Sequence, residues 1–346
     1  MTSSPTSERE PDALPGVADI LDAAARLAPY ATRTPVLESP TLNALVGGRI
    51  VVKAEPLQRT GSFKFRGAYN RISRLSPEER RRGVVTYSSG NHAQGVAHAA
   101  GLCGTRAVVV MPRDAPAVKI AGTRALGAEV VLYDRDGESR EEIGERIVAE
   151  RGSVLVPPYD DPLIIAGQGT VGLELAEQLG ERALVPDAVL APCGGGGLIA
   201  GTSLALAARL PGTPVYSVEP EGFDDTARSL AAGRRLANRP GPSSICDALL
   251  APTPGRITFA VNRRTLAGGL AVGDDAVRRA MAAAFTHLKL VVEPGGAVAL
   301  AAVLAGVFDA RGRTVAVIVS GGNVDPDRYI EVVARAGSDQ GPTRNT

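Results

Sequence analysis

Short apolar runs rich in β-branched residues alternate along this chain with longer stretches of helical periodicity. The runs at residues 50–54, 84–87, 107–111, 129–133, 188–191, 215–218 and 314–319 predict strands. Most are apolar throughout, as strands buried on both faces of a parallel sheet should be. Between them, Ile20, Leu21, Ala24, Leu27 and Ala28 share one helical face, and residues 173–179 and 199–210 read the same way. Asp274 and Asp275 open a further helix, where acidic residues favour the N-terminus. This alternation predicts an α/β chain with mostly parallel sheets flanked by helices. Pro-rich breaks fall at 157–162, a candidate domain crossover, and at 240–254, a candidate long loop. No solenoid period is present. One internal echo stands out: VTYSSGN at 85–91 and VIVSGGN at 317–323. Open α/β sheets bind ligands beyond the carboxyl ends of their strands. Two such ends with matching polar chemistry predict one shared site.

Composition narrows the classes. The 346 residues are 44% hydrophobic and 22% charged with formal charge +1, which excludes a disordered chain. The neutral balance argues against a nucleic-acid partner. Arg80, Arg81 and Arg82 follow Glu78 and Glu79 and read as a solvated helix end. Cys103, Cys193 and Cys246 form no CxxC, so free thiols in a reducing cytoplasm are expected. Residues 1–15 are polar and Pro-rich, without the apolar core of a secretory signal, and residues 337–346 read as a disordered tail. No apolar run reaches the roughly 18 residues of a membrane span.

The chemistry begins at Gly194, Gly195, Gly196 and Gly197, set between a strand and a helix. Four residues without Cβ let backbone N–H groups converge on an anion, beside the positive end of a helix. A phosphate cradle is the favoured reading; a merely tight turn is the plain one. The segment 167–172, GQGTVG, matches GxGxxG and raises a nicotinamide oxidoreductase. It does not follow directly on a strand, so its glycines are read as close helix packing. Walker A, GxSxG and HExxH are absent from the sequence. Lys64 lies between Phe63 and Phe65, near Gly61 and Gly67. Desolvation there would lower its pKa and activate a Schiff-base amine. A surface lysine with its stem packed on phenylalanine fits the spacing equally well.

The segment SFKFRGA at 62–68, Ser88-Ser89-Gly90-Asn91-His92, the four glycines and Ser320-Gly321-Gly322-Asn323 occur in this order. Together they resemble the fold-type II pyridoxal-phosphate enzymes, in the threonine/serine dehydratase and serine racemase group. The likeness runs from about Ile20 to Asp325. It implies a tryptophan synthase β-like fold of two domains. Residues 16–57 and 158–336 would form the larger, cofactor-binding domain, and 58–157 a smaller one that closes over substrate. Lys64 would hold pyridoxal 5'-phosphate, with Phe63 packed nearby. Asn91 would bond its phenolic oxygen. Gly194, Gly195, Gly196, Gly197 and Leu198 would bind its phosphate. Ser320 would face the pyridine nitrogen, and Glu293 would lie near the ring. Ser88, Ser89, Asn91 and His92 would hold the substrate carboxylate. Lys64 would act as the base at Cα, and Ser89 matches the second base of racemases.

The implied activity is elimination of water from L-threonine or L-serine, giving ammonia with 2-oxobutanoate or pyruvate. Serine racemase and threo-3-hydroxyaspartate ammonia-lyase are the alternatives within the class. FDDTARSLAAGRRL at 223–236 also resembles dehydratases of hydroxyectoine breakdown. Arg140 could favour a second substrate carboxylate, or simply begin a solvated helix. Glu219, the carbonyl of Phe223 and Asp225 resemble a divalent-cation loop, whose oxygen ligands suit Mg²⁺ or Ca²⁺. The competing reading is a helix cap at Asp224 or Asp225. A cytoplasmic homodimer is expected, with no regulatory domain after the last core motif.

Overall fold

The computed structural model describes residues 13–115 and 117–338. The tails expected at 1–15 and 337–346 lie outside these residues, except for 13–15 and for Gly337 and Ser338, which end the helix Pro326–Ser338. The strands are β1 (Val36–Glu38), β2 (Arg49–Ala54), β3 (Val84–Tyr87), β4 (Ala107–Pro112), β5 (Glu129–Tyr133), β6 (Val154–Leu155), β7 (Ala188–Pro192), β8 (Val215–Pro220), β9 (Gly268–Val272) and β10 (Thr314–Val319). They form a six-stranded sheet in the order β1-β2-β10-β7-β8-β9 and a four-stranded sheet in the order β5-β4-β3-β6. Only β1 pairs antiparallel; every other pairing is parallel.

All seven expected strands are present within two residues of their bounds. β1 and β9 are additions to them, and the two-residue β6 precedes the Pro-rich break. β1 has three residues, and β9 begins with two glycines, so neither carries a β-branched run.

Each sheet is covered on both faces, which explains the continuously apolar strands. One face of the larger sheet packs against the helix Pro294–Leu304, buried almost throughout. The other packs against Pro162–Glu181 and Gly197–Arg209. The smaller sheet lies between Lys64–Ser73 and Asn91–Leu102 on one side and Arg140–Arg151 on the other.

The GxGxxG segment lies inside the twenty-residue helix Pro162–Glu181. A Cβ at Gly167 would sit 2.6 Å from the Cα of Gly67, and one at Gly172 would sit 2.7 Å from the Thr202 carbonyl. These glycines let three helices approach closely. They form no phosphate loop, as their distance from a strand predicted.

Candidate active site

The strand ends of both sheets meet over one cavity of about 200 Å³. Its wall holds Phe63, Lys64, Ser88, Ser89, Asn91, His92, the glycines 194–197, Leu198, Glu293 and Ser320. The sequence echo becomes a contact here. Asn323, after β10, donates from Nδ2 to Asn91 Oδ1 at 2.8 Å, after β3.

Lys64 is the first residue of the helix Lys64–Ser73. Its side chain opens onto the cavity but is otherwise enclosed by protein. Desolvation pulls its pKa down to about 8, against the opposing charge of Glu293. Nζ donates to the Pro158 carbonyl at 2.6 Å and lies 5.3 Å from the Phe63 ring centre. A lysine so placed reaches its neutral, nucleophilic form near neutral pH.

The four glycines end β7 and lead into the helix Gly197–Arg209. Gly196 has φ +95°, a left-handed conformation, and a Cβ at Gly195 would sit 2.4 Å from the Tyr159 ring. The loop is braced from behind. Thr258 donates from its hydroxyl to the Gly195 carbonyl at 2.7 Å. Asp160 accepts from the backbone N–H groups of Arg256, Ile257 and Thr258. Glycine N–H groups and a helix N-terminus on one cavity wall form an anion cradle.

The loop Ser88-Ser89-Gly90 leads from β3 into the helix Asn91–Leu102, whose first N–H groups have no carbonyl partner within the helix. His92 is 2% exposed, and its Nε2 lies 3.0 Å from the Val156 carbonyl, so Nε2 carries the proton. Burial, with Lys64 adding to it, lowers its pKa to about 3. The imidazole is therefore neutral and is no cation for a carboxylate. What His92 offers an anion is its backbone N–H in the first helical turn.

Glu293 is buried by the helix Pro294–Leu304 behind it. Burial raises its pKa to about 7; Asp247 adds to this, and the hydrogen bond from Asn91 Nδ2, at 2.5 Å, opposes it. Ser320, at the end of β10, puts a hydroxyl on the same wall.

Tyr159, Lys119 and Asp247 also line the cavity without having been singled out from the sequence. Tyr159 sits in the Pro-rich break, where an aromatic among prolines was a usable signal. Lys119 and Asp247, 3.2 Å apart, arrive from distant segments and gave none. Arg140 does reach the cavity mouth, with its guanidinium 5.4 Å from the Tyr87 ring centre. Its Nε donates to Glu141 Oε1 at 2.8 Å.

The cation loop lies apart from the cavity wall. Glu219 at the end of β8 accepts from the backbone N–H groups of Thr226 and Ala227. It thus caps the helix Asp225–Ala232, in place of the Asp224 or Asp225 side chain. Asp225 Oδ1 accepts from Asn238 at 2.6 Å, while its buried Oδ2 has no partner. Burial and then Asp225 raise Glu219 to about 8, and burial raises Asp225 to about 6. Among the described residues no group of three or more His, Cys, Asp or Glu is gathered for a metal.

The chain matches the family model "Pyridoxal-phosphate dependent enzyme" over residues 27–321. It is 42% identical over 330 residues to the L-threo-3-hydroxyaspartate ammonia-lyase of Saccharomyces cerevisiae, covering 95% of this chain and 99% of that one. The structure of maize serine racemase superposes with a TM-score of 0.87 at 40% identity, covering 94% of this chain and 99% of that one. That of a threonine deaminase from T.th. gives 0.85 at 47% identity, covering 90% and 99%. With the lysine, the glycine loop, the strand end Ser88-Ser89-Gly90-Asn91 and Ser320 on one cavity, this chain belongs to the pyridoxal-phosphate-dependent enzymes of fold type II, in the branch of dehydratases and serine racemases.

Proposed function

We propose that this protein is an ammonia-lyase that removes the β-hydroxyl and the amine of a β-hydroxy amino acid, with L-threo-3-hydroxyaspartate as its preferred substrate. The observation that carries the choice is Arg140, a guanidinium at the mouth of the cavity that holds Lys64. The similarity to the hydroxyaspartate enzyme of yeast supports the same choice. L-Threonine and L-serine remain the second reading, supported by the likeness to threonine deaminase.

The residues fit pyridoxal phosphate. A desolvated lysine amine, a four-glycine loop in which a Cβ at 195, 196 or 197 would lie 2.4, 2.9 or 3.0 Å from a neighbouring atom, and a buried hydroxyl at Ser320 share one cavity. Lys64 would hold the aldehyde carbon, the 194–197 loop and Leu198 the phosphate, and Ser320 the ring nitrogen. Asn91 and Glu293 would lie along the ring edge, and Phe63 beside it. When bound, the cofactor withdraws electrons from the Cα of the amine attached to it.

This chain's residues do the rest. The N-terminal turn of Asn91–Leu102, with Ser88 and Ser89, holds the α-carboxylate through backbone N–H and hydroxyl donors. Lys64, as a free neutral amine, would take the Cα proton. The guanidinium of Arg140 holds the β-carboxylate, which threonine and serine lack. Loss of the hydroxyl and return of water then give ammonia and the keto acid: oxaloacetate from 3-hydroxyaspartate, 2-oxobutanoate from threonine, pyruvate from serine. Ser89 would also stand where racemases place their second base. The smaller unit at 58–157, which contains the four-stranded sheet, closes over the substrate. Glu219, the Phe223 carbonyl and Asp225 hold Mg²⁺ or Ca²⁺; the unpartnered Asp225 oxygen supports that reading. A cytoplasmic homodimer completes the proposal.

The test is to load the purified protein with pyridoxal phosphate and assay ammonia, keto acid and D-serine. L-threo-3-hydroxyaspartate, L-threonine and L-serine are offered in turn. The highest kcat/KM with hydroxyaspartate is expected. Faster turnover of threonine or serine selects the second reading. D-Serine formation outpacing ammonia makes the protein a racemase.

A further inference from the structure

Asn323 is not on the cavity wall, and no role falls to it in the reaction above. Its amide joins three separate segments. Nδ2 donates to the Thr60 carbonyl at 2.6 Å and to Asn91 Oδ1 at 2.8 Å. Asn91 Nδ2 in turn donates to Glu293 Oε1 at 2.5 Å.

The direction of this chain is fixed by what each atom can do. A backbone carbonyl only accepts, so Thr60 requires the NH₂ end of Asn323. The second hydrogen of that NH₂ then points at Asn91, which must answer with its oxygen. Asn91 is left with Nδ2 facing Glu293 and the cavity. Glu293 fixes that choice only while it is ionised; once protonated it can donate to the Asn91 oxygen, whereas the Asn323 NH₂ donates in either case and holds the Asn91 amide in this orientation.

The surrounding backbone holds the first link in place. Thr60 has φ +58°, uncommon for a β-branched residue, and this turn aims its carbonyl at Asn323. Ser62 bridges Gly321, Phe63 N–H donates to the Ser320 carbonyl, and Gly322 N–H donates to the Gly61 carbonyl. The segment before Lys64 is thus stitched to the end of β10, and Asn323 extends the stitch to the head of Asn91–Leu102.

We propose that Asn323 is a positioning residue that sets the orientation of the Asn91 amide, so that an N–H donor and not a carbonyl oxygen faces the ring oxygen of bound pyridoxal phosphate. This rests on the cofactor reading given above.

The experiment is a double-mutant cycle on the loaded enzyme, with a pH titration of its visible absorption band. Asn323→Ala should lower kcat/KM roughly 10- to 100-fold, the usual effect of removing an outer partner of a site ligand. Asn91→Ala combined with Asn323→Ala should lose no more than Asn91→Ala alone, because Asn323 acts only through Asn91. Asn323→Asp keeps the volume, so it carries the spectroscopic arm even should the truncation not fold. It removes the donor and adds a negative charge, both of which favour the protonated form of the bound chromophore. Its band midpoint should rise by about one pH unit. Losses that multiply in the double variant, or a midpoint unchanged in Asn323→Asp, overturn the proposal. A wild-type protein with no visible band after loading overturns the cofactor reading, and this proposal with it.

Discussion

Lys64 and Arg66 stand two residues apart on one helix, and both are desolvated cations, yet their surroundings are opposite. Arg66 is fully buried and saturated. It donates to both oxygens of Glu55, to both of Glu174, to Thr170 and to the Thr32 carbonyl. Lys53, equally buried, shares Glu174 and adds Gln178 and the Thr34 carbonyl. Burial alone would lower the pKa of Arg66, but Glu55 and Glu174 outweigh it and hold the guanidinium firmly charged. Lys64 has one carbonyl and no carboxylate within hydrogen-bond reach. Its neighbours are His92, which is neutral, and Glu293, raised to about 7. The difference separates two uses of a buried charge. Compensated, it joins segments; left uncompensated, it becomes a group that exchanges protons near neutral pH.

The comparison breaks first at Lys64. Lys64→Ala should abolish ammonia release, by about 10⁴-fold or more, while leaving the unfolding midpoint near wild type. A large loss of stability would place Lys64 with the structural charges instead. In the wild type, the base must be unprotonated, so kcat should rise as pH climbs through about 8; a rate limb falling there would contradict this role. Arg66→Met is the mirror image. It leaves Glu55 and Glu174 buried without their partner and should cost about 3–5 kcal/mol in urea unfolding. Arg140→Ala should cost hydroxyaspartate turnover about 10- to 100-fold and leave serine nearly unchanged, the scale of a lost bond to a charged group. Equal losses on both substrates would remove Arg140 from specificity.

The smallest effect concerns the third buried set, Glu219 and Asp225. Their folded pKa values lie above the unfolded ones, at about 8 and about 6. Stability held by the protonated pair is complete at low pH and is lost as pH rises through those values. A divalent cation should restore it above pH 8, by about 1.4 kcal/mol at ten times its Kd. Differential scanning calorimetry with and without Mg²⁺ or Ca²⁺ measures this. The cation response should vanish in Asp225→Asn.

Much of this was legible along the chain. Seven parallel strands carry apolar β-branched runs, because burial on both faces admits little else. The four glycines were legible as an unbroken run; a side chain is excluded by close contact at Gly195 and by a left-handed φ at Gly196. The echo of Ser-Ser-Gly-Asn at 88–91 in Ser-Gly-Gly-Asn at 320–323 predicted a shared site, and the two asparagines bond directly. Less could be read for His92: the sequence placed it at the site, but the state of its imidazole follows from a carbonyl 64 positions away. Glu219 as the cap of its helix was likewise hidden, since the cap comes from seven residues upstream, across a turn.

What the sequence determined alone is the set of elements and the chemical groups at their ends: periodicity, glycine runs and motif order are local properties of the chain. What only the tertiary structure decided is the charge state and direction of those groups. Burial, the count of partners and the orientation of an amide depend on segments brought together by folding. The same side chain is therefore a fixed cation or a proton carrier according to what packs around it.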